Sequence, residues 1–182
     1  VNKSNFFVSR SFFHQVRIGV DGVIEETLRL DYQNAAQSEV VPGGRYKNYL
    51  RLYLPLGSEL LAVTIKDPQT GKIETLEKKN WEIKEEHQRL VLGFLIEVPI
   101  QQARQVEVTY RLAEKLIDQT GYYQLTVQKQ SGIEDKSFQL RFEPPPGMTI
   151  FSASPAPMTT ARGIVFNQKF DRDLRFEIGL AK

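Results

Sequence analysis

Val16-Arg17-Ile18-Gly19-Val20-Asp21-Gly22-Val23-Ile24-Glu25-Glu26-Thr27-Leu28-Arg29-Leu30-Asp31-Tyr32 is the stretch that decides the fold. Val16, Ile18 and Val20 alternate with polar or small residues, the period of a pleated strand. Asp21-Gly22 follows, a dipeptide that accepts the positive φ angles of a tight turn. Alternation resumes through Ile24, Leu28, Leu30 and Tyr32. Strand, Asp-Gly, strand predicts a β-hairpin.

The same signal recurs downstream. Residues 33 to 44, rich in Gln, Asn, Ser and Ala and closed by Pro42-Gly43-Gly44, read as a loop. Leu50, Leu52 and Leu54 alternate with Tyr49, Arg51 and Tyr53. Pro55-Leu56-Gly57-Ser58 turns the chain into Leu61, Val63 and Ile65, and Asp67-Pro68-Gln69-Thr70-Gly71 turns it again. A polar segment carries the single Trp81. Leu90, Leu92, Phe94, Ile96 and Val98 then form a strand with Val91 and Leu95 on its second face, which predicts a central position. Further strands are read at Val106–Leu112, Tyr123–Val127, Phe138–Phe142, Ile164–Phe166 and Leu174–Leu180. No window carries a helical stripe of period 3.6, and residues 101–105 and 113–118 allow one helical turn each at most. About twelve strands separated by turns predict an all-β, antiparallel β-sandwich of immunoglobulin-like kind. The polar stretch 113–120 suggests two packed sandwiches, residues 1–116 with an N-terminal extension and a smaller one at 117–182, with one continuous large sandwich as the alternative.

Composition bounds the chemistry. With 182 residues, 41% hydrophobic and 25% charged, the chain can bury a sizeable core. A net charge of +2 from 24 basic and 22 acidic residues, with no long run of one sign, argues against a nucleic-acid partner. The absence of cysteine removes disulfides, thiolate metal sites and thiol nucleophiles. It fits the cytoplasm and the bacterial exterior equally. No apolar run reaches the ~20 residues of a membrane-spanning helix. Val1 and Asn2-Lys3-Ser4 at the start suggest a processed chain or a piece of a longer protein.

Several blocks stand in a characteristic order: Asn5-Phe6-Phe7-Val8-Ser9-Arg10-Ser11, then Pro42-Gly43-Gly44-Arg45-Tyr46-Lys47-Asn48-Tyr49-Leu50-Arg51-Leu52-Tyr53-Leu54-Pro55 with Gly57-Ser58-Glu59-Leu60-Leu61, then Val127-Gln128-Lys129-Gln130-Ser131-Gly132. Up to about Gly132 the chain resembles the C-terminal part of the bacterial domain-of-unknown-function family DUF4012. It departs from the family pattern at Ser131, where proline is the expected residue. The resemblance implies an outer portion of a large membrane-anchored, surface-exposed protein, hence an extracellular or cell-surface location. It brings no catalytic residues.

The residues offer no strong catalytic signature. His14 and His87 lie far apart and read as surface or edge-strand residues. Neighbouring strand residues point to opposite faces, so Glu25-Glu26 and Glu85-Glu86 are not natural dyads. Asp171 and Asp173 share a parity but read as a turn before the last strand. Gly43-Gly44 lacks the lysine and helix of a phosphate loop. Asn2-Lys3-Ser4 matches a glycosylation sequon. No enzyme, metal or cofactor is expected. The candidate binding face is Arg45, Lys47, Tyr49, Arg51 and Tyr53, which alternate with Leu50, Leu52 and Leu54. Interleaved aromatic and basic side chains can stack on sugars or meet a partner protein; equally, tyrosines and arginine stems are ordinary strand-surface residues. Phe6, Phe7, Phe12 and Phe13 form a second apolar cluster, read as a strand buried between domains, with a contact to sequence upstream of Val1 as the alternative. The expected function is a non-catalytic structural or interaction module of a larger surface protein, contacting a protein or a glycan. A carbohydrate-binding module and an accessory subdomain of a hydrolase are the alternatives.

Overall fold

The computed structural model describes residues 6–39, 43–116, 121–130 and 136–182. Asn2-Lys3-Ser4, Pro42, residues 117–120 of the expected linker and the Ser131-Gly132 turn lie outside the described residues. Fourteen strands carry the described chain: β1 Val8–Ile18, β2 Val23–Asn34, β3 Tyr46–Pro55, β4 Glu59–Lys66, β5 Ile73–Thr75, β6 Trp81–Glu86, β7 Arg89–Val98, β8 Ala103–Lys115, β9 Gly121–Val127, β10 Lys136–Glu143, β11 Thr149–Ser154, β12 Met158–Thr160, β13 Gly163–Phe170 and β14 Leu174–Ala181. A 3-10 turn, Lys78–Asn80, precedes β6. The protein is all-β, as its period-two alternation requires. Among the described residues no helix is long and apolar enough to cross a membrane.

The chain forms two compact units. One holds Val1–Ser11 and Arg29–Ala113; the other holds Phe12–Leu28 and Glu114–Lys182. Past the β1–β2 hairpin, the chain passes from the first unit to the second between Ala113 and Glu114. The tip of the β1–β2 hairpin, however, belongs to the C-terminal unit, whereas the sequence placed all of residues 1–116 together. Residues 113–115 continue β8 instead of forming a linker, and 103–105 begin it instead of making a helical turn.

In the first unit a sheet ordered β1-β2-β8-β4-β5 accompanies a three-stranded sheet ordered β3-β7-β6. Leu92, Phe94, Ile96 and Val98 on β7 and Leu30, Tyr32, Val63, Val106, Val108 and Tyr110 on the larger sheet are buried. Tyr32 and Tyr46 stack across the sheets at 6.3 Å, and the Arg10 guanidinium lies over both rings, 5.6 and 5.4 Å from their centroids. Burial pushes the Tyr32 phenol far above its ordinary pKa, partly opposed by Arg10. Asn34, fully buried at the end of β2, donates to the carbonyls of Gly44 and Val98 at 3.0 and 3.1 Å and accepts from the Ala36 amide at 3.0 Å. One side chain thereby satisfies three backbone groups that burial would otherwise leave unpaired.

In the second unit the order β12-β13-β10-β1-β2 faces a three-stranded sheet, β11-β14-β9. Its core is aromatic. Phe176 meets Phe138 at 5.7 Å and Phe166 at 5.1 Å, Tyr123 meets Phe142 at 5.2 Å, and Phe12 packs edge-on against Phe170 at 5.4 Å. Such pairs add ~1 kcal/mol each beyond simple burial. Phe12 is thus part of this core, while Phe6 is exposed.

Four local expectations change. Val20 does not continue β1: it sits in the Gly19–Gly22 turn and is exposed, because the turn starts earlier than Asp21-Gly22 alone suggests. The polar segment 73–86 supplies two strands, and two short strands lie between the Pro-Pro-Pro-Gly break and β13. Each is an edge strand or pairs with one, where a polar pattern is compatible with a ladder. Finally, β1 runs parallel to β10, with Phe12 opposite Phe138 through Arg17 opposite Glu143, so that ladder is not antiparallel.

Candidate functional site

The β3 face is built by register. β7 lies antiparallel between β3 and β6, pairing Lys47 with Glu97, Tyr49 with Leu95, Arg51 with Gly93 and Tyr53 with Val91. On its other side β7 pairs Gly93 with Glu82, Val91 with Lys84 and Arg89 with Glu86. Parity therefore collects Lys47, Tyr49, Arg51, Tyr53, Leu95, Gly93, Glu82, Lys84 and Glu86 on one surface. Arg45, just before β3, joins them through Glu97.

The centre of this surface is apolar. Tyr49, Tyr53 and Leu95 are each about half exposed, at 48, 52 and 52%. Tyr49 lies over Gly93: a Cβ there would come within 2.5 Å of the phenol oxygen and 2.9 Å of Cζ. Glycine is needed to admit the ring. The Tyr49 hydroxyl donates to Glu82 at 3.1 Å. Reduced hydration of the packed phenol, with the Glu82 bond and charge, raises its pKa. Arg51 caps Tyr53, its guanidinium 5.4 Å from the ring centroid.

The rim is charged but paired. Glu97 takes Lys47 at 2.9 Å and Arg45 at 3.2 Å. Those two cations hold its carboxyl below the ordinary glutamate range, Lys47 contributing most. Arg51 binds Glu86 at 2.5 Å, and Lys84 lies 3.8 Å from Glu82. The five residues singled out in the sequence therefore share one face, but they do not make a positive stripe. Three glutamates, Glu82 and Glu86 on β6 and Glu97 on β7, pair with its cations and offset most of their charge. Alternation within β3 cannot reveal those partners, because they arrive by strand pairing.

The histidines and paired acids resolve differently. His14 is buried, not at the surface, with Nε2 2.8 Å from Glu26 Oε2; the Tyr123 hydroxyl donates to Glu26 Oε1 at 2.7 Å. With Glu26 ionised, His14 donates as well, so one carboxylate ties β1, β2 and β9 together. Glu25 and Glu26 do point to opposite faces, as strand geometry requires. The signal for Glu26 was its parity: it falls in step with Ile24, Leu28 and Leu30, as His14 does with Val16 and Ile18. His87 is exposed in the β6–β7 turn. Asp173 accepts the Lys129 amide at 2.8 Å and Asp171 lies 3.7 Å from Lys169, both within the turn that precedes β14. Among the described residues no three His, Asp or Glu side chains converge as a metal site would require.

No protein-family model matches this sequence, and no curated protein does. Solved structures do. Yeast LTA4 hydrolase, in complex with bestatin, superposes with a TM-score of 0.51 at 9% identity over 98% of this chain and 30% of that one. An M1 zinc metallopeptidase from Deinococcus radiodurans superposes with a TM-score of 0.41 at 8% identity over 96% of this chain and 42% of that one. The chain thus spans well under half the length of the structures it matches, and what it shares with yeast LTA4 hydrolase is the fold of a part.

Proposed function

We propose that this chain is a non-catalytic interaction module of a larger protein, and that the β3-β7-β6 face is its contact surface. The observation that carries this reading is the layout of that face. Three half-open side chains with apolar bodies, Tyr49, Tyr53 and Leu95, sit inside a rim of ion-paired side chains on a hydrogen-bonded sheet. An apolar, aromatic centre with a polar rim is the anatomy of a protein contact. The location suggested by the family resemblance, the outer part of a membrane-anchored surface protein, belongs to this proposal.

A second reading places the module as an accessory part of a hydrolase. The fold shared with a 30% portion of yeast LTA4 hydrolase favours it. The β3 face would then meet the remainder of the same chain.

Hydrogen exchange on the full-length parent and on residues 1–182 alone tests the surface. The expected result is slower exchange of Tyr46–Pro55 and Arg89–Val98 in the parent or in the presence of its partner. Unchanged exchange there, together with binding of a glycan array that is lost in Tyr49→Ala/Tyr53→Ala, would replace the protein contact by the carbohydrate-binding alternative.

A further inference from the structure

The second unit carries an aromatic surface of a different kind. In the β11-β14-β9 sheet, Gly179 of the central strand pairs with Tyr122 on β9 and with Ser152 on β11. The β11 register shifts between Ile150 and Ser152, so Phe151 is an extra residue at a bulge. Bulges re-aim side chains, and this one lays the Phe151 ring on Gly179. A Cβ at that glycine would fall 2.6 and 2.8 Å from two ring carbons. Tyr122 braces the same ring edge-on, at 5.7 Å and 78°. Both rings are half exposed, at 50 and 54%.

The surroundings of this pair are hydrophilic. Parity and register place Gln124, Glu177 and Ser152 on the same face, all exposed. Gln124 donates to Glu177 at 3.0 Å, which leaves the remaining amide hydrogen, the amide oxygen and the carboxylate oxygens in a fixed comb of one donor and several acceptors.

We infer that this face is a glycan-contact site, in which a neutral pyranose packs its apolar face against the half-open Phe151 and Tyr122 rings and its hydroxyls bond to Gln124, Glu177 and Ser152. Size and chemistry select this occupant. Two half-open rings offer roughly 200 Å² of apolar surface, a quarter of the ~800 Å² per partner of a specific protein interface. That area suits the apolar face of one sugar ring. A half-exposed ring held by backbone and by a neighbouring ring loses little entropy on contact. Vicinal hydroxyls, each donor and acceptor, match a preset amide–carboxylate pair. The site is separate from the β3 face, so the two readings stand or fall independently.

The test is a ¹H–¹⁵N NMR titration of the full 182-residue chain with cellohexaose, mannohexaose and chitohexaose. At least one should shift the amides of Tyr122, Gln124, Ser152 and Glu177 and leave β3 and β7 unmoved. Phe151→Ala and Gln124→Ala should each weaken binding about tenfold, an effect of the size single stacking or hydrogen-bond contacts give. Gln124 is exposed, so its variant should keep the wild-type melting temperature and serves as the control should Phe151→Ala unfold. Absence of shifts with all three oligosaccharides at ~10 mM, beyond the weakest useful affinity, overturns the inference. Shifts confined to other strands do so as well, and so does concentration-dependent broadening of these amides without sugar, which would mark a contact between copies of the chain.

Discussion

At the scale of single residues, Glu26 is the most consequential position. Its carboxylate is 2% exposed and receives both His14 and Tyr123. Removing it leaves two polar groups in an aromatic core without their shared acceptor. Glu26→Ala should therefore lose about 3 kcal/mol, a fall in Tm of roughly 6–12 °C for a chain of this size. Tyr123→Phe removes one buried hydrogen bond and keeps the ring against Phe142, so about 2 kcal/mol is expected. Thermal and urea unfolding read both, and equal losses in the two variants would show that Glu26 does not act through two bonds. Glu97 makes a second residue-scale case. Its carboxyl titrates below the ordinary range because Lys47 and Arg45 favour the ionised form. A depressed folded-state pKa means the pairing is in force above the ordinary glutamate value and is lost as pH falls through the lower, folded value. By ¹³C NMR the Glu97 midpoint should move up in Lys47→Met, and by less in Arg45→Ala; a midpoint indifferent to both would remove the clasp from the β3 rim.

At the scale of elements, the β6–β7 hairpin holds an avoidable strain. Glu86 pairs with Arg89, so the loop is the two residues His87 and Gln88, with φ angles of 51° and 58°. Both occupy the left-handed region, which costs residues bearing a Cβ about 1 kcal/mol each. The backbone twist of the hairpin demands that turn, and Asn-Gly is the sequence that accepts it. His87→Asn with Gln88→Gly should stabilise the chain by about 1 kcal/mol in urea unfolding; a loss would mean that the His87 or Gln88 side chain contributes contacts of its own. The hairpin also shows where sequence reading stops. Long strands with clean alternation, β2, β3 and β7, were legible because burial on one or both faces imposes the period. β6 was not, since it is an edge strand of mostly exposed residues, and its turn lacks glycine. The same limit hid half of the β3 site. Arg45, Lys47, Tyr49, Arg51 and Tyr53 are visible as one parity of one strand, but their glutamates come from strands whose pairing no local pattern announces. Phe151 was hidden for a related reason: a bulge breaks the alternation that would have placed it.

At the scale of the whole molecule, the division into units does not follow the chain. β10 has β1 on one side, in register from Phe12 to Arg17, and β13 on the other. A fragment of residues 117–182 therefore lacks a central neighbour of its sheet as well as Glu26 and His14 of its core. Expressed alone it should give a collapsed NMR spectrum without dispersed amides, and addition of a peptide spanning residues 6–34 should restore dispersion. A well-dispersed spectrum from the fragment by itself would show that the C-terminal unit is self-sufficient and that the hairpin only decorates it.

The parallel β1–β10 ladder has a temporal side. Arg17 and Glu143, which bond at 3.1 Å, are 126 residues apart. A ribosome adding 5–20 residues per second takes roughly 6–25 s to cover that distance. Through that interval the first strand pair has left the exit tunnel, with Val16, Ile18 and Ile24 still uncovered. Residues 12–18 are thus sheltered in their unit only once β10 has emerged, and until then they are open to chaperones and to mispairing.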